Sequence, residues 1–316
     1  MKKKVIFTMC CLTIGVVNII AQKEKSSYMS VNVNTSLTSL GFSVKELNGN
    51  TNNSSSKISF GFNANYHLYF NKHWGLGTGL SLSSYKTKAF LNGGMSDVIA
   101  LGSYKDDDAS GLPVNYNLRA RVENIEEKQN IQFLEIPLAA IYQTRFSYGK
   151  WGAYGSIGVK YQIPASKKFE VVKKATSKLN VSGFYYDDSQ NFDVGAPETP
   201  PVIQHGFGTL DNPGSSLKWK GSSELKTSIA VTFDAGAIYR LTNESDLCLG
   251  VYVDYGLTEI KKNKTSLLSG PVGNYHPGAN NNIGNGIIYN SLLNSNHTNK
   301  VIPVSFGIKI GVRFKL

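Results

Sequence analysis

The sequence predicts an all-β fold: eight antiparallel strands wound up and down into a transmembrane β-barrel, with short turns at one end and long loops at the other. Three observations predict it. Eight segments alternate apolar with small or polar residues at period two, because successive side chains on a strand point to opposite faces. The connections between them alternate strictly short and long, which gathers every tight turn at one end. The polar face carries Gly, Ser, Asn and Thr with few charges, which suits the narrow interior of eight strands. A soluble half-buried sheet or a lipocalin-like barrel alternates too, but its water-exposed face would carry many Lys, Glu and Arg.

Composition agrees. Charged residues make up 17% of the 316 residues, below the roughly 25% usual for soluble domains. With 3 Cys the chain is no disulfide scaffold, and with 17 Tyr and 15 Phe it is not a disordered one. A bundle of membrane helices is excluded because no second long apolar run follows the first. That first run lies in residues 1–22, where Lys2, Lys3 and Lys4 precede the apolar stretch Val5 to Ile20 and the small-residue site Ala21-Gln22. This is the pattern of a secretory signal peptide, leaving 23–316 as the mature domain. Cys10 and Cys11 leave with it, so Cys248 has no partner for an internal disulfide. The chain is basic, at +11, but an exported chain rarely meets nucleic acid, and none is expected as a partner. No zinc spacing, P-loop, G-x-S-x-G or dinucleotide fingerprint is present in its proper context, and no cofactor or metal is expected.

The segments follow in order. In 28–37, Met29, Val31, Val33 and Leu37 oppose Ser30, Asn32, Asn34 and Ser36. In 57–70, Ile58, Phe60, Phe62, Tyr66, Leu68 and Phe70 oppose Gly61, Asn63, Asn65 and His67. In 74–90, Trp74, Leu76, Leu80 and Leu82 oppose glycines and serines, and in 131–146 Leu134, Ile136, Leu138 and Tyr142 oppose Glu135, Pro137, Ala139 and Gln143. In 152–163, Ile157, Val159, Tyr161 and Ile163 oppose Tyr154, Ser156, Gly158, Lys160 and Gln162. In 224–241, Ile229, Val231, Phe233 and Tyr239 oppose Ser228, Thr232, Asp234, Gly236 and Arg240. In 246–259, Leu247 to Leu257 alternates with Cys248, Gly250, Tyr252, Asp254 and Gly256. The last segment is the clearest, with Phe306, Ile308, Ile310, Val312, Phe314 and Leu316 on one face and Gly307, Lys309, Gly311, Arg313 and Lys315 on the other.

Tight connections occupy 71–73, 147–151 and 242–245. Long ones occupy 38–56, 91–130, 164–223 and 261–300. In a bacterial barrel these are periplasmic turns and extracellular loops, with both mature termini periplasmic. Phe70, Trp74, Phe146, Trp151, Tyr239 and Phe314 fall near the short-turn ends, as an interfacial aromatic girdle would.

Counted inward from the short turns, Lys160, Asp234, Asp254 and Lys309 reach a similar depth. Two cations and two anions at one level predict a salt-bridged layer across the lumen. The rival reading is a proton or ion path, since ionisable groups inside a membrane span are functional candidates. His67, His73, His205, His276 and His297 have no nucleophile and carboxylate at telling spacing, so no catalytic residue is assigned.

The long loops are the expected working surface, because structureless loops of that length are uncommon without a function. Connection 164–223 carries Phe184-Tyr185-Tyr186, Phe192, Phe207 and Trp219. Its aromatics either bind a protein or glycan partner or form a small outer core over the barrel mouth, the second being preferred. Val171-Val172 and Val181 suit strands continuing beyond the membrane as a hairpin. Asp106-Asp107-Asp108 and Asp187-Asp188 lack an EF-hand pattern and read as solvated turns rather than calcium ligands. Lys261, Lys262 and Lys264, with Lys167, Lys168, Lys173 and Lys174, sit at the predicted outer rim. They are either contacts for lipopolysaccharide phosphates or ordinary rim charge.

Taken together, these segments resemble the small outer-membrane β-barrels of Gram-negative bacteria, and more narrowly the PorT-like family. Phe133-Leu134-Glu135-Ile136-Pro137-Leu138 looks like that family's fourth strand, and Trp74-Gly75-Leu76-Gly77-Thr78-Gly79-Leu80 like its third. The final Lys309-x-Gly311-x-x-Phe314-x-Leu316 resembles the signal read by the barrel-assembly machinery. The resemblance implies location and fold more than activity, and some members serve a protein-secretion machine. The expected function is therefore non-enzymatic: a barrel in outer-membrane lipid with an envelope-structural or interaction role, accessory to a secretion or surface complex. An outer-membrane enzyme acting on lipid, or a narrow channel, is the rival.

Overall fold

The computed structural model describes residues 26–45, 47, 54–105, 113–146, 149–187, 192–194, 207–211, 219–270 and 287–316. The leader 1–22 lies outside the described residues, as do Asp106 to Asp108, Asp188, His205, His276 and Asn280 to Asn282.

Eight strands form the frame: β1 (Ser26–Gly41), β2 (Ser54–Tyr69), β3 (Trp74–Leu91), β5 (Pro113–Arg145), β6 (Trp151–Asp187), β10 (Ser228–Arg240), β11 (Ser245–Gly256) and β14 (Ile302–Lys315). They pair in that order, each antiparallel to the next, and β14 pairs back onto β1 through fourteen registered positions from Tyr28–Lys315 to Gly41–Ile302. The ring therefore has no open strand edge, the feature that otherwise invites aggregation. Shorter strands lie outside it: β4 (Met95–Lys105) on β5, and β7 (Phe192–Val194), β8 (Phe207–Asp211) and β9 (Lys220–Ser222) on β6. β12 (Leu268–Ser269) and β13 (Ile288–Tyr289) pair only with each other.

The faces are inverted relative to a soluble sheet. Outward rows are apolar and exposed: Val33, Phe60, Phe62, Leu80, Leu82, Ile136, Ile157, Phe233, Leu249, Val251, Ile308 and Ile310 all stand outside. Inward rows are polar and buried, among them Asn32, Asn34, Ser81, Glu135, Gln162, Thr232, Asp254, Ser305 and Arg313. In water this arrangement would forfeit the burial that drives folding. It is favourable only where the outside is itself apolar.

Above one level the polarity reverses. On β5 the outward series Leu138, Ile136, Leu134 gives way to Gln132, Asn130 and Lys128, while Phe133 and Ile131 turn inward and are buried. On β3, Leu80 and Leu82 give way to Ser84 and Lys86, and Tyr85 is buried inside. Leu40, Tyr85, Ile131, Phe133, Leu225, Ile260, Leu293 and Val301 meet there as an apolar plug in the mouth of the ring. The period of two continues across the reversal, so only its sign marks the boundary.

The connections 91–130 and 164–223, expected as loops, are largely strand, and in the second Val171-Val172 and Val181 do continue a strand as the hairpin reading expected. β5 has 33 residues and β6 has 37; at about 3.3 Å per residue they are roughly 110 and 120 Å of chain, several times the ~25 Å apolar band of a membrane barrel. Their upper halves form an extended hairpin with β4. Ala89, Leu91, Met95, Val122, Ile125, Phe169, Val171 and Leu179 there pack against Leu267, Leu268, Ile287, Tyr289 and Leu292 of the last connection. An outer core over the mouth is thus present, built from the last connection and, in 164–223, from Phe169, Val171, Leu179 and Trp219; the side chains of Phe184, Tyr185, Tyr186, Phe192 and Phe207 lie outside the described residues. At the opposite end, Trp74 lies against Tyr142 (centroids 5.0 Å) and Trp151 against Tyr239 (4.8 Å), with Phe146 and Phe314 exposed nearby in sequence.

Candidate functional site

Two places concentrate chemistry: the interior of the ring and the cap above it. Inside, Lys160 on β6 donates to Asp254 Oδ2 on β11 at 2.7 Å and stands 3.6 Å from Glu135 Oε2 on β5. Asp254 also accepts from Ser305 Oγ at 3.1 Å. Glu135 is fully buried and accepts from Ser83 Oγ (3.0 Å) and Gln162 Nε2 (2.8 Å), and Gln162 Oε1 accepts from Ser228 Oγ (2.9 Å). Lys309 on β14 pairs with Asp234 on β10, whose other oxygen accepts from Tyr154 OH at 3.0 Å.

The four residues expected as one layer therefore form two pairs at staggered heights. On β14, Asp254 lies opposite Ser305, whereas Lys309 stands four residues further along, opposite Gly250. Counting from the turns misses this because tilted strands shear the register around a barrel. Tyr154 shows why glycines line this wall. Gly236 sits beside Tyr154 in one pairing and Gly250 in the other, and a Cβ on Gly250 would come within 2.3 Å of the tyrosine oxygen. The two glycines leave the space in which the ring lies flat and reaches Asp234.

A third ionic level, absent from the sequence reading, lies nearest the short turns. Arg313 Nε and Arg145 Nη2 both donate to Asp246, at 2.9 and 2.8 Å, and Arg313 Nη1 donates to Gln143 Oε1 at 2.9 Å and Tyr69 OH at 3.3 Å. Between this level and the pairs above lies a cavity of about 90 Å³, lined by Asn63, Asn65, His67, Ser81, Lys309 and Arg313 among others. Ionic levels and the apolar plug thus cross the interior in series.

The cap is fastened by Glu127, also missed from sequence. It is fully buried on β5 above the reversal level. Its Oε1 accepts from Gln129 Nε2 (2.9 Å) and Ser291 Oγ (2.7 Å), and its Oε2 from Tyr289 OH (2.7 Å) and the Leu292 N–H (2.7 Å). Burial pushes this carboxyl above its usual range, against the pull of those hydrogen bonds. Nearby, Trp219 stacks on Tyr289 at 5.1 Å and donates its indole N–H to Ile287 O, and Asp97 Oδ2 accepts from the Leu268 N–H at 2.9 Å. Replacing Glu127 with Gln turns two acceptor oxygens into one oxygen and a donor, leaving buried donors unmatched at about 1–3 kcal/mol. Trypsin should then nick the cap after Lys264 or Lys300 faster in E127Q than in the parent; equal rates would mean that Glu127 does not hold the segment.

Of the rim lysines, Lys261 is corrected. It is 3% exposed, and its ammonium donates to Ser295 O (2.6 Å) and Thr298 O (2.7 Å) inside the cap, so it cannot reach a lipid phosphate. Lys262 and Lys264 are exposed. Gly311 pairs with Asn32 and Cys248, while Phe314 and Leu316 are exposed on the outward face. His73 Nδ1 lies 2.9 Å from Gln143 O in its turn, and His297 approaches Asp97 at 3.7 Å. No group of His, Cys, Asp and Glu with metal-binding geometry occurs among the described residues.

Residues 20–197 match the family described as outer membrane protein beta-barrel domain. Among solved structures the chain is similar to Neisserial surface protein A, at 12% identity over 93% of this chain and 100% of that one, with a TM-score of 0.34. It is also similar to the outer membrane protein OprG of Pseudomonas aeruginosa, at 13% identity over 94% and 99%, with a TM-score of 0.38. A third is the outer membrane protease OmpT of Escherichia coli, at 9% identity over 94% and 100%, with a TM-score of 0.30. No curated protein matches the sequence.

Proposed function

The chain belongs to the outer membrane protein β-barrel domain family, and from that premise we propose that it is a non-enzymatic, eight-stranded up-and-down barrel with a closed lumen, which holds a folded cap on the outer face of the bacterial outer membrane. The observation that carries this reading is the reversal of face polarity along β3 and β5, at the level where an apolar cluster fills the mouth of the ring. Below it the outward rows suit lipid and the interior is polar. Above it the arrangement is that of a water-soluble β structure with its own core. Ionic levels in series inside the ring favour a mechanical role for Lys160, Asp254, Lys309 and Asp234 over a proton or ion path. The cap then supplies the interaction surface, for a protein or glycan partner, and the narrower PorT-like assignment with service to a secretion complex rests on the strand and C-terminal motifs named above. Lys309, Gly311, Phe314 and Leu316 stand in this proposal as the segment met by the assembly machinery, at the end that also holds the tight turns.

Orientation is the decisive test. Cys248 is buried, so single cysteines placed on the exposed surface report cleanly. Lys262→Cys in the cap should react with a membrane-impermeant maleimide on intact cells. Thr242→Cys, in a tight turn, should react only after the outer membrane is opened. Reaction of Thr242→Cys alone on intact cells would invert the orientation and remove the cap from the cell surface.

A further inference from the structure

Directly above the apolar band, on the outward face of β2, β3, β5, β6 and β9, runs a groove of about 900 Å³. Its walls carry Lys57, Lys86, Lys88, Lys128, Lys168 and Lys220, and one carboxylate, Glu170. The lysines are scattered over the sequence and assembled by register. Lys86 lies beside Asn130 and Asn130 beside Lys168; one step higher, Lys88 lies beside Lys128, Lys128 beside Glu170, and Glu170 beside Lys220. Two of the cations are already matched, Lys220 by Glu170 at 2.9 Å and Lys88 by Glu126 at 2.5 Å. Lys220 holds the Glu170 carboxyl below its ordinary range, with Lys128 adding to the effect. Among the described residues Lys57, Lys86, Lys128 and Lys168 form no ion pair, so the groove keeps a surplus of positive charge on a fixed sheet.

Its base is apolar. Ile58 lines it and is exposed beside Phe60 at the top of the outward apolar row, while Phe169 lies buried beneath it in the cap core. Lys86 is four residues above Leu82, and Lys128 six above Leu134. At about 3.3 Å per residue on strands tilted by roughly 40°, that is on the order of 10–15 Å above the last apolar rung. A ligand that fits must therefore be an amphiphile whose anionic groups stand just above its chains.

We infer that this groove binds the phosphates of an outer-leaflet glycolipid, lipopolysaccharide in this membrane, with the acyl chains descending over Ile58 and Phe60. The inference rests on the cap facing outward, as proposed above. It moves the lipid contact away from Lys261, which is buried in the cap, to lysines brought together by strand pairing.

The test uses the full-length barrel in detergent, titrated with fluorescent diphosphoryl lipid A and, separately, with the same lipid after removal of its phosphates. An interfacial lysine contributes roughly fivefold in affinity for an anionic surface. The variant K57Q/K86Q/K128Q/K168Q should therefore bind the diphosphoryl form more weakly by about a hundredfold or more, while K262Q/K264Q stays within about twofold of the parent. Parental affinity in the fourfold variant, equal binding of the dephosphorylated lipid by the parent, or full displacement by a soluble sulfated polysaccharide would each overturn the inference. Heat-dependent gel mobility, run on every variant, shows that the barrel is formed. Cap labelling from outside the cell combined with an unaltered fourfold variant would refute the groove alone, whereas cap labelling only from the periplasm would refute the orientation beneath it.

Discussion

Lys160→Met should lower the unfolding free energy by about 3–5 kcal/mol, the usual cost of removing one partner from a buried ionic set. The size follows from what is left behind. Lys160 is the cation beside both Asp254 and Glu135, and each carboxylate is almost wholly out of contact with solvent. Methionine fills much the same volume but leaves two anions facing each other across the interior. Ser83, Gln162 and Ser305 donate to them, which limits the damage without neutralising charge. The urea midpoint for loss of the compact, unheated gel form should fall accordingly. Adding Asp254→Asn and Glu135→Gln should recover most of the loss, because neutral amides need no counter-cation. A single variant within about 1 kcal/mol of the parent would show that water already screens the site, and would reopen the ion-path reading.

The eight strands of the ring were legible because their alternation is strict: every second residue from Phe306 to Leu316 is apolar. The upper half of β5 was not legible as strand, and that of β6 only in part, at Val171-Val172 and Val181. Their alternation persists but changes sign at Phe133 and Leu134, so that a search for outward apolar rows ends there. The cap core was anticipated from the aromatics of 164–223, but not its composition, since Tyr289 and Leu292 reach Glu127 across more than 160 positions of sequence. Glu127 itself sits in the run Glu126-Glu127-Lys128, which reads as solvated charge. Only the fold separates its members: Glu126 pairs with Lys88, Lys128 faces the outer groove, and Glu127 turns inward. The same limit explains Lys261. A row of rim lysines shows that charge is present, and the backbone alone decides which ammonium finds the carbonyls of Ser295 and Thr298.

Ile310→Lys should cost about 2–4 kcal/mol in a bilayer, the range for a lysine at the midplane of a barrel's lipid face. Ile310 lies between Val33 of β1 and Leu249 of β11, and all three side chains are exposed outward. It has Ile308 and Phe306 above it and Phe314 below on the same face, so a lysine tail must pass several apolar rungs before its ammonium meets water. Two controls separate lipid from packing. Thr232→Ser on the inward face should change stability by no more than about 0.5 kcal/mol. Gln132→Lys lies on the same outward face as Leu134 but just past the polarity reversal, where the penalty falls to roughly 0–1 kcal/mol. A steep cost at Ile310 with almost none at Gln132 would locate the bilayer boundary at the level of Leu134 and Phe133. Similar costs at both would mean that the apolar rows are covered by protein rather than lipid, because a protein interface has no reason to change its tolerance for charge at that height.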